Sequence, residues 1–180
     1  VRQLSRWTRQ WEAVRGESGA EDRDARELAA RLGASIPAQT RTSIVHGDYR
    51  IDNTIVAKRD VWRVEAVVDW ELSTLGDPVA DVAMMCAYRH PALDLILGDR
   101  CAWSSDRLPS VEDLASQYER CSGGQLENWE FHLALAQFKI AVISAGIEHR
   151  HRAGAGGPGT GSAGLAVGPF LEAGLATWRN

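Results

Sequence analysis

Leu4, Trp7, Trp11 and Val14 recur at three- and four-residue intervals, and this spacing predicts a helix over 2–15 with one apolar face turned to the core. After the polar stretch ESGAED, Ala25, Leu28, Ala29 and Leu32 mark a second helix, with Gly33 expected as its left-handed terminal residue and Pro37 in the exit loop. Three short apolar runs follow, at 43–45, 54–57 and 61–70, and read as strands, the last two joined by a turn at Lys58-Arg59-Asp60. Asp77 before Pro78 has the form of a helix cap, with Val79, Val82, Ala83 and Cys86 as the buried face of the helix it opens. Ser110 to Asp113 resembles a capping box for a helix to about Arg120, which Cys121-Ser122-Gly123-Gly124 ends. A long helix is predicted from about Glu127 to Arg150, with Trp129, Leu133, Ala136, Ile140, Ile143 and Ile147 as its core stripe. AGAGGPGTGSAG, residues 153–164, is expected to be a flexible connector before a last helix at about 165–178.

Composition narrows the class. The 180 residues are 44% hydrophobic, enough for one sizeable core or one lobe of a larger domain. A formal charge of −4 with no basic stripe argues against a nucleic-acid surface. Cys86, Cys101 and Cys121 are odd in number and form no CxxC pair, so neither a disulfide framework nor a zinc site is expected, and a cytoplasmic location is. No apolar run of membrane-spanning length stands out in the sequence. The amphipathic pattern begins directly at Val1, as expected of a stretch from a longer protein.

The polar loop between the strands is the part that packing does not account for. His46, Asp48 and Asn53 stand as H-x-D-x-x-x-x-N, and Asp69 ends the next long strand. Phosphoryl transfer asks a protein mainly to position an acceptor hydroxyl and to neutralise phosphate charge with metal ions. An Asp that accepts the hydroxyl's hydrogen bond, an oxygen ligand five residues on, and a carboxylate suited to Mg²⁺ would supply both. The plainer alternatives are a turn-forming Asp48, an Asx turn at Asn53 and a capping Asp69. Asp52 and Glu71 either brace the loop or touch metal. Arg50 either faces an anionic substrate or pairs with a neighbouring carboxylate. His90, His132, His149 and His151 show no ligand-like convergence, and packing or surface roles are expected of them.

VHGDYRIDN followed by VVDWELSTLGDPVADVA closely resembles the catalytic core of the aminoglycoside phosphotransferase-like, or choline-kinase-like, superfamily, whose fold is similar to that of protein kinases. The wording DYRIDN and DWELSTLGDP, with the Trp-rich opening RQLSRWTRQW, looks most like the kinase-like domains related to those fused to acyl-CoA dehydrogenases. The resemblance implies an α+β fold: the mostly helical C-terminal lobe of a kinase-like domain, with a small β-structure framing the catalytic loop. It implies that Asp48 is the catalytic Asp, that Asn53 and Asp69 are Mg²⁺ ligands, and that His46 and Asp81 support the loop. ATP is the implied co-substrate and a small-molecule hydroxyl the acceptor. Aminoglycosides, choline-like alcohols, homoserine, sugars and hydroxyacyl-CoA thioesters are all admitted, and the subgroup points to the last.

A kinase-like N-terminal lobe would bring a loop over the phosphates and a paired Lys. Positions 1–33 read as helical instead, and Lys occurs only at 58 and 139. The ATP-cradling lobe is therefore expected to lie outside these residues, and its uncovered apolar face to favour self-association. Three functions stay open: a kinase lobe acting on a hydroxyl, a split or inactive lobe serving as an assembly module, and a metal-dependent phosphate hydrolase sharing cations among Asp48, Asp52 and Asp69.

Overall fold

The computed structural model of the protein describes residues 2–16, 19–157 and 160–178. The chain runs α1 (Arg2–Val14), α2 (Ala20–Ala34), β1 (Ser43–Val45), β2 (Thr54–Ala57), β3 (Asp60–Val67), β4 (Thr74–Gly76), α3 (Val79–Ala87), α4 (Leu93–Leu97), α5 (Val111–Ser122), α6 (Trp129–Arg152) and α7 (Val167–Thr177). It is an α+β arrangement of mostly helices with two small antiparallel sheets. β1 pairs with β4, Ser43 opposite Gly76 and Val45 opposite Thr74. β2 and β3 form a hairpin with Thr54 opposite Val67 and bulges around Val56.

The core gathers around α6, which packs against α1, α2, α3 and α7. The expected stripe on this helix is too narrow. Phe131, Ala134, Phe138, Ala141, Val142 and Ala145 are buried along with Ala136 and Ile140, whereas Ile143 is exposed. A helix covered on several sides is apolar nearly all round, so no single 3.6-residue stripe marks its buried face. Full burial of Phe138 or Ile140 contributes roughly 1.5–3 kcal/mol each. The length and hydropathy of Trp129–Arg152 would also suit a membrane span, contrary to the reading of the sequence, but this helix is mostly buried inside the fold.

α1 is fastened to α2 where Trp11 Nε1–H donates to Asp22 Oδ1 at 3.1 Å, and Arg15 and Arg26 pair with the other carboxylate oxygen. Gly33 lies inside α2 rather than beyond its end. The helix closes at Ser35, and a side chain at 33 would stand 3.8 Å from Leu4 of α1. α3 begins at Val79, and Asp77 Oδ1 accepts the Val79 N–H, so the expected cap acts one residue further out. Ser110 and Asp113 form the capping box reciprocally, and α5 ends at Gly123, whose φ is 66°. Within the stretch expected to be a flexible connector, Thr160–Ala166 forms a 3-10 helix. Ala163 and Ala166 are fully buried there, because small side chains let this segment lie close against α6. Residues 158 and 159 of that stretch lie outside the described residues.

His90 and His132 both titrate below the usual imidazole range because they are buried, the effect at His132 being partly opposed by the Asp77 carboxylate. The fold thus favours their neutral form. Their stabilising effect is complete above the unfolded value of about 6.5 and is lost as pH falls below it. Urea denaturation is expected to give a lower midpoint at pH 5.5 than at pH 7.5, and equal midpoints would contradict this.

Candidate active site

The loop from His46 to Asn53 leaves β1 and returns into β2 through a short 3-10 turn, Ile51–Asn53. Its start is held by main-chain bonds to one carboxylate. Asp81, in the first turn of α3, accepts the N–H of His46 on Oδ2 and that of Gly47 on Oδ1, the latter at 2.9 Å. Gly47 has φ of 88°, and a Cβ there would meet the Leu72 carbonyl oxygen at 2.7 Å. Gly47→Ala is expected to cost about 1–3 kcal/mol, lowering the thermal midpoint by roughly 3–10 °C. An unchanged melting curve would show that the turn is not constrained.

His46 is buried at 3% exposure, and its ring joins the two halves of the site. Nε2 lies 2.8 Å from the Val68 carbonyl and must donate to it, while Nδ1 accepts the Asp48 N–H at 3.3 Å. Those bonds select the Nε2–H tautomer. Trp70 closes over the ring at 4.7 Å between centroids and donates its Nε1–H to the Val67 carbonyl.

Asp48 and Asn53 meet directly. The Asn53 amide donates to the Asp48 carbonyl at 2.8 Å and to its Oδ2 at 3.2 Å. The opposite oxygen, Oδ1, accepts the Tyr88 hydroxyl at 2.6 Å. Burial holds the Tyr88 phenol far above its ordinary pKa, with the bond to Asp48 adding to the effect, so Tyr88 acts as a hydrogen-bond donor and never as a base. Arg50 lies 3.3 Å from Asp48 Oδ2 and 3.4 Å from Asp52 Oδ2, with its guanidinium 5.9 Å from the centre of the Tyr88 ring. Its role here is to pair with the loop's own carboxylates. Asp52 is exposed and engaged with Arg50, and Glu71 is exposed.

Asp69 follows Val68, so the His46 bond to Val68 sets it beside the loop. Its backbone is left-handed, φ 65° and ψ 55°, a conformation that Asp tolerates better than most residues. The side chain is exposed and caps nothing. With its NH₂ group spent on Asp48, Asn53 keeps its Oδ1 free of hydrogen bonds among the described residues. An amide oxygen and a carboxylate are hard donors that suit Mg²⁺ when phosphate and water complete the shell. Among the described residues no three His, Cys, Asp or Glu side chains converge on a metal position, so Asp48, Asp52 and Asp69 do not form a carboxylate cage.

Direct bonds thus bring His46, Asp48, Asn53 and Asp81 together, and Asp69 joins them through its neighbour. Tyr88 was missed by the sequence reading. Its signal is the spacing of seven residues from Asp81, which places both on one face of α3 and its last turn. A family model described as "Phosphotransferase enzyme family" matches residues 1–115, a span that includes every residue of this site. The chain belongs to that family. Among curated relatives, acyl-CoA dehydrogenase family member 11 of Homo sapiens is 36% identical over 158 residues, covering 85% of the chain and 20% of that protein. Acyl-CoA dehydrogenase family member 10 of Mus musculus is 39% identical over 158 residues, covering 85% of the chain and 14% of that protein. A crystal structure from Ralstonia eutropha named for an aminoglycoside phosphotransferase superposes with a TM-score of 0.82 at 34% identity, over 99% of this chain and 54% of that one. A second neighbour, aminoglycoside phosphotransferase APH(4)-Ia, is 16% identical with a TM-score of 0.54, and agrees in fold. The chain spans about a fifth or less of the length of these curated relatives.

Proposed function

We propose that this chain is the acceptor- and metal-binding lobe of an ATP-dependent phosphotransferase acting on a hydroxyl of a small molecule. The observation that carries the reading is the arrangement at Asp48, whose carboxylate is gripped by Tyr88 on one oxygen and Asn53 on the other, while His46 links its backbone N–H to the carbonyl of Val68, the residue before Asp69. In this reading Asp48 accepts the hydrogen bond of the acceptor hydroxyl and takes up its proton as the oxygen attacks the γ-phosphorus, whose bond to the β,γ-bridging oxygen breaks with that electron pair leaving on ADP. Tyr88 and Arg50 steady the ionised carboxylate. Asn53 and Asp69 would hold Mg²⁺, which when bound neutralises charge on the nucleotide phosphates.

We place the cradle for those phosphates outside these 180 residues, against exposed apolar side chains of the two sheets, Ile44 and Leu75 opposite each other on β1 and β4 and Trp62 on β3. The engagement of Asp52 with Arg50 favours this reading over shared-metal hydrolysis. Relatives named as acyl-CoA dehydrogenase family members make an acyl-CoA compound that carries a hydroxyl, a hydroxyacyl-CoA thioester, our choice of acceptor, and the free cysteines fit a reducing cytoplasmic setting. The test is ADP release by the full-length protein over a panel of hydroxyl compounds. Release is expected to require both an acceptor and Mg²⁺ and to stop with EDTA. Phosphate release without any acceptor would overturn the reading in favour of hydrolysis.

A further inference from the structure

Beside the loop lies a cavity of about 530 Å³, walled by α1, α3, α6, the β1–β4 pair and the segment 36–39. It shares Gly47 and Asp81 with the loop but contains none of Asp48, Asn53 and Asp69. Its volume lies in the range of small-molecule sites. Trp7, Met84, Phe131 and Leu135 give it an apolar lining, and Arg2, Arg6 and Lys139 bring three cationic groups to the same space.

The carboxylates that share this cavity are already committed. Asp81 spends both oxygens on the main chain of His46 and Gly47. Asp77 accepts the Val79 N–H and lies 3.9 Å from His132 Nε2. Among the described residues no carboxylate comes within ion-pair distance of Arg2, Arg6 or Lys139. Arg6 and Lys139 instead each lie 5.7 Å from the centre of the Trp7 ring. Lys139 therefore sits with its amine against an aromatic face, partly buried and, among the described residues, with no carboxylate in direct ion-pair contact. Burial pulls its pKa down, Asp81 and Asp48 oppose this, and Arg6 adds to it. An unpaired ammonium on an apolar wall is costly to keep and is relieved by a bound anion.

We propose that this cavity is a binding site for an amphipathic anion: an apolar chain or ring seated against Trp7, Met84, Phe131 and Leu135, with a carboxylate or phosphate head on Lys139 and Arg6. The site is independent of phosphoryl transfer, and its test uses no nucleotide. The chain is titrated by calorimetry with octanoate, octyl phosphate and the neutral octan-1-ol. Both anions are expected to bind at least about tenfold more tightly than the alcohol, since a desolvated charge pair outweighs the shared tail. The stronger of the two identifies the head group. Lys139→Met is expected to lose at least about tenfold in anion affinity with little change for octan-1-ol, and Lys139→Arg to keep most of it. Arg6→Gln, at an exposed position that does not threaten folding, is expected to weaken anion binding about two- to fivefold and decides the matter if Lys139→Met fails to fold by circular dichroism. Equal binding of anion and alcohol, anion binding indifferent to these substitutions, or no anion binding by the folded chain would each overturn the proposal. Because no ATP is present, none of these outcomes depends on whether Asp48 is a base.

Discussion

Replacing Asp48 by Asn in the full-length protein is expected to lower turnover by about 10²–10⁴-fold, the usual worth of a positioned base, while leaving the affinity for ATP nearly unchanged. The substitution keeps the size of the side chain and its bond from Tyr88, because an amide oxygen accepts the phenol as a carboxylate oxygen does. It removes the negative charge beside Arg50 and turns an NH₂ group toward the Asn53 amide, where two donors then oppose each other. The fold should therefore persist while the proton acceptor is lost. Steady-state rates at saturating acceptor and MgATP, together with a nucleotide-binding titration, separate the two effects. Full turnover in the variant would mean that the loop is a structural turn and that Asp48 does not contact the reacting hydroxyl.

Asp69→Asn is expected to act on the other substrate. The loss of one anionic oxygen from the cation site should reduce kcat/KM for MgATP by about 10²–10³-fold, comparable to the loss of one electrostatic stabiliser in other active sites, and raise the Mg²⁺ concentration needed for half-maximal rate. Asn tolerates the left-handed backbone at this position almost as well as Asp, so the effect reports charge rather than conformation. The acceptor KM should stay close to its original value. Rates that rise partway toward the original with excess Mg²⁺ fit the assignment, whereas a variant with unaltered Mg²⁺ dependence would remove Asp69 from the metal site.

Much of the scaffold could be read from the sequence because local rules decided it. The strands at 43–45 and 54–57 have the predicted limits, and the capping box at Ser110 forms as its residue types require. Elements set by tertiary contacts were harder to read. β4 is Thr74–Gly76, with one large apolar residue and a terminal glycine where β1 has two β-branched residues in a row, so its own sequence carries too little pattern to mark it and its pairing with β1 reveals it. The full burial of α6 depends on which helices surround it, and Gly33 continues α2 where a solitary helix would have stopped.

The same distinction applies to the site. His46, Asp48, Asn53 and Asp69 stand in two short segments whose polarity a strand or helix pattern does not explain, and that anomaly made them visible, whereas Asp81, inside α3, was marked only by the family resemblance. Tyr88 and Lys139 are attached to helices whose periodicity accounts for them as ordinary members. Only the folded chain brings Tyr88 to Asp48, 40 positions away, and sets Lys139 against Trp7. The polar residues of the loop are legible as an anomaly, whereas Tyr88 and Lys139, which reach their partners from helices, are not.

The clasp formed by Asp81 grips two main-chain N–H groups and no side chain of the loop. Its hold does not depend on the side chains of Tyr49 to Asp52. The anchoring at His46 and Gly47 therefore survives exchange of Tyr49, Ile51 or Asp52, whereas Arg50, paired with Asp48, is tied to the carboxylate it neighbours. An arrangement of this kind divides evolutionary labour: the helix supplies a fixed mount, and the loop's free side chains become the part open to selection.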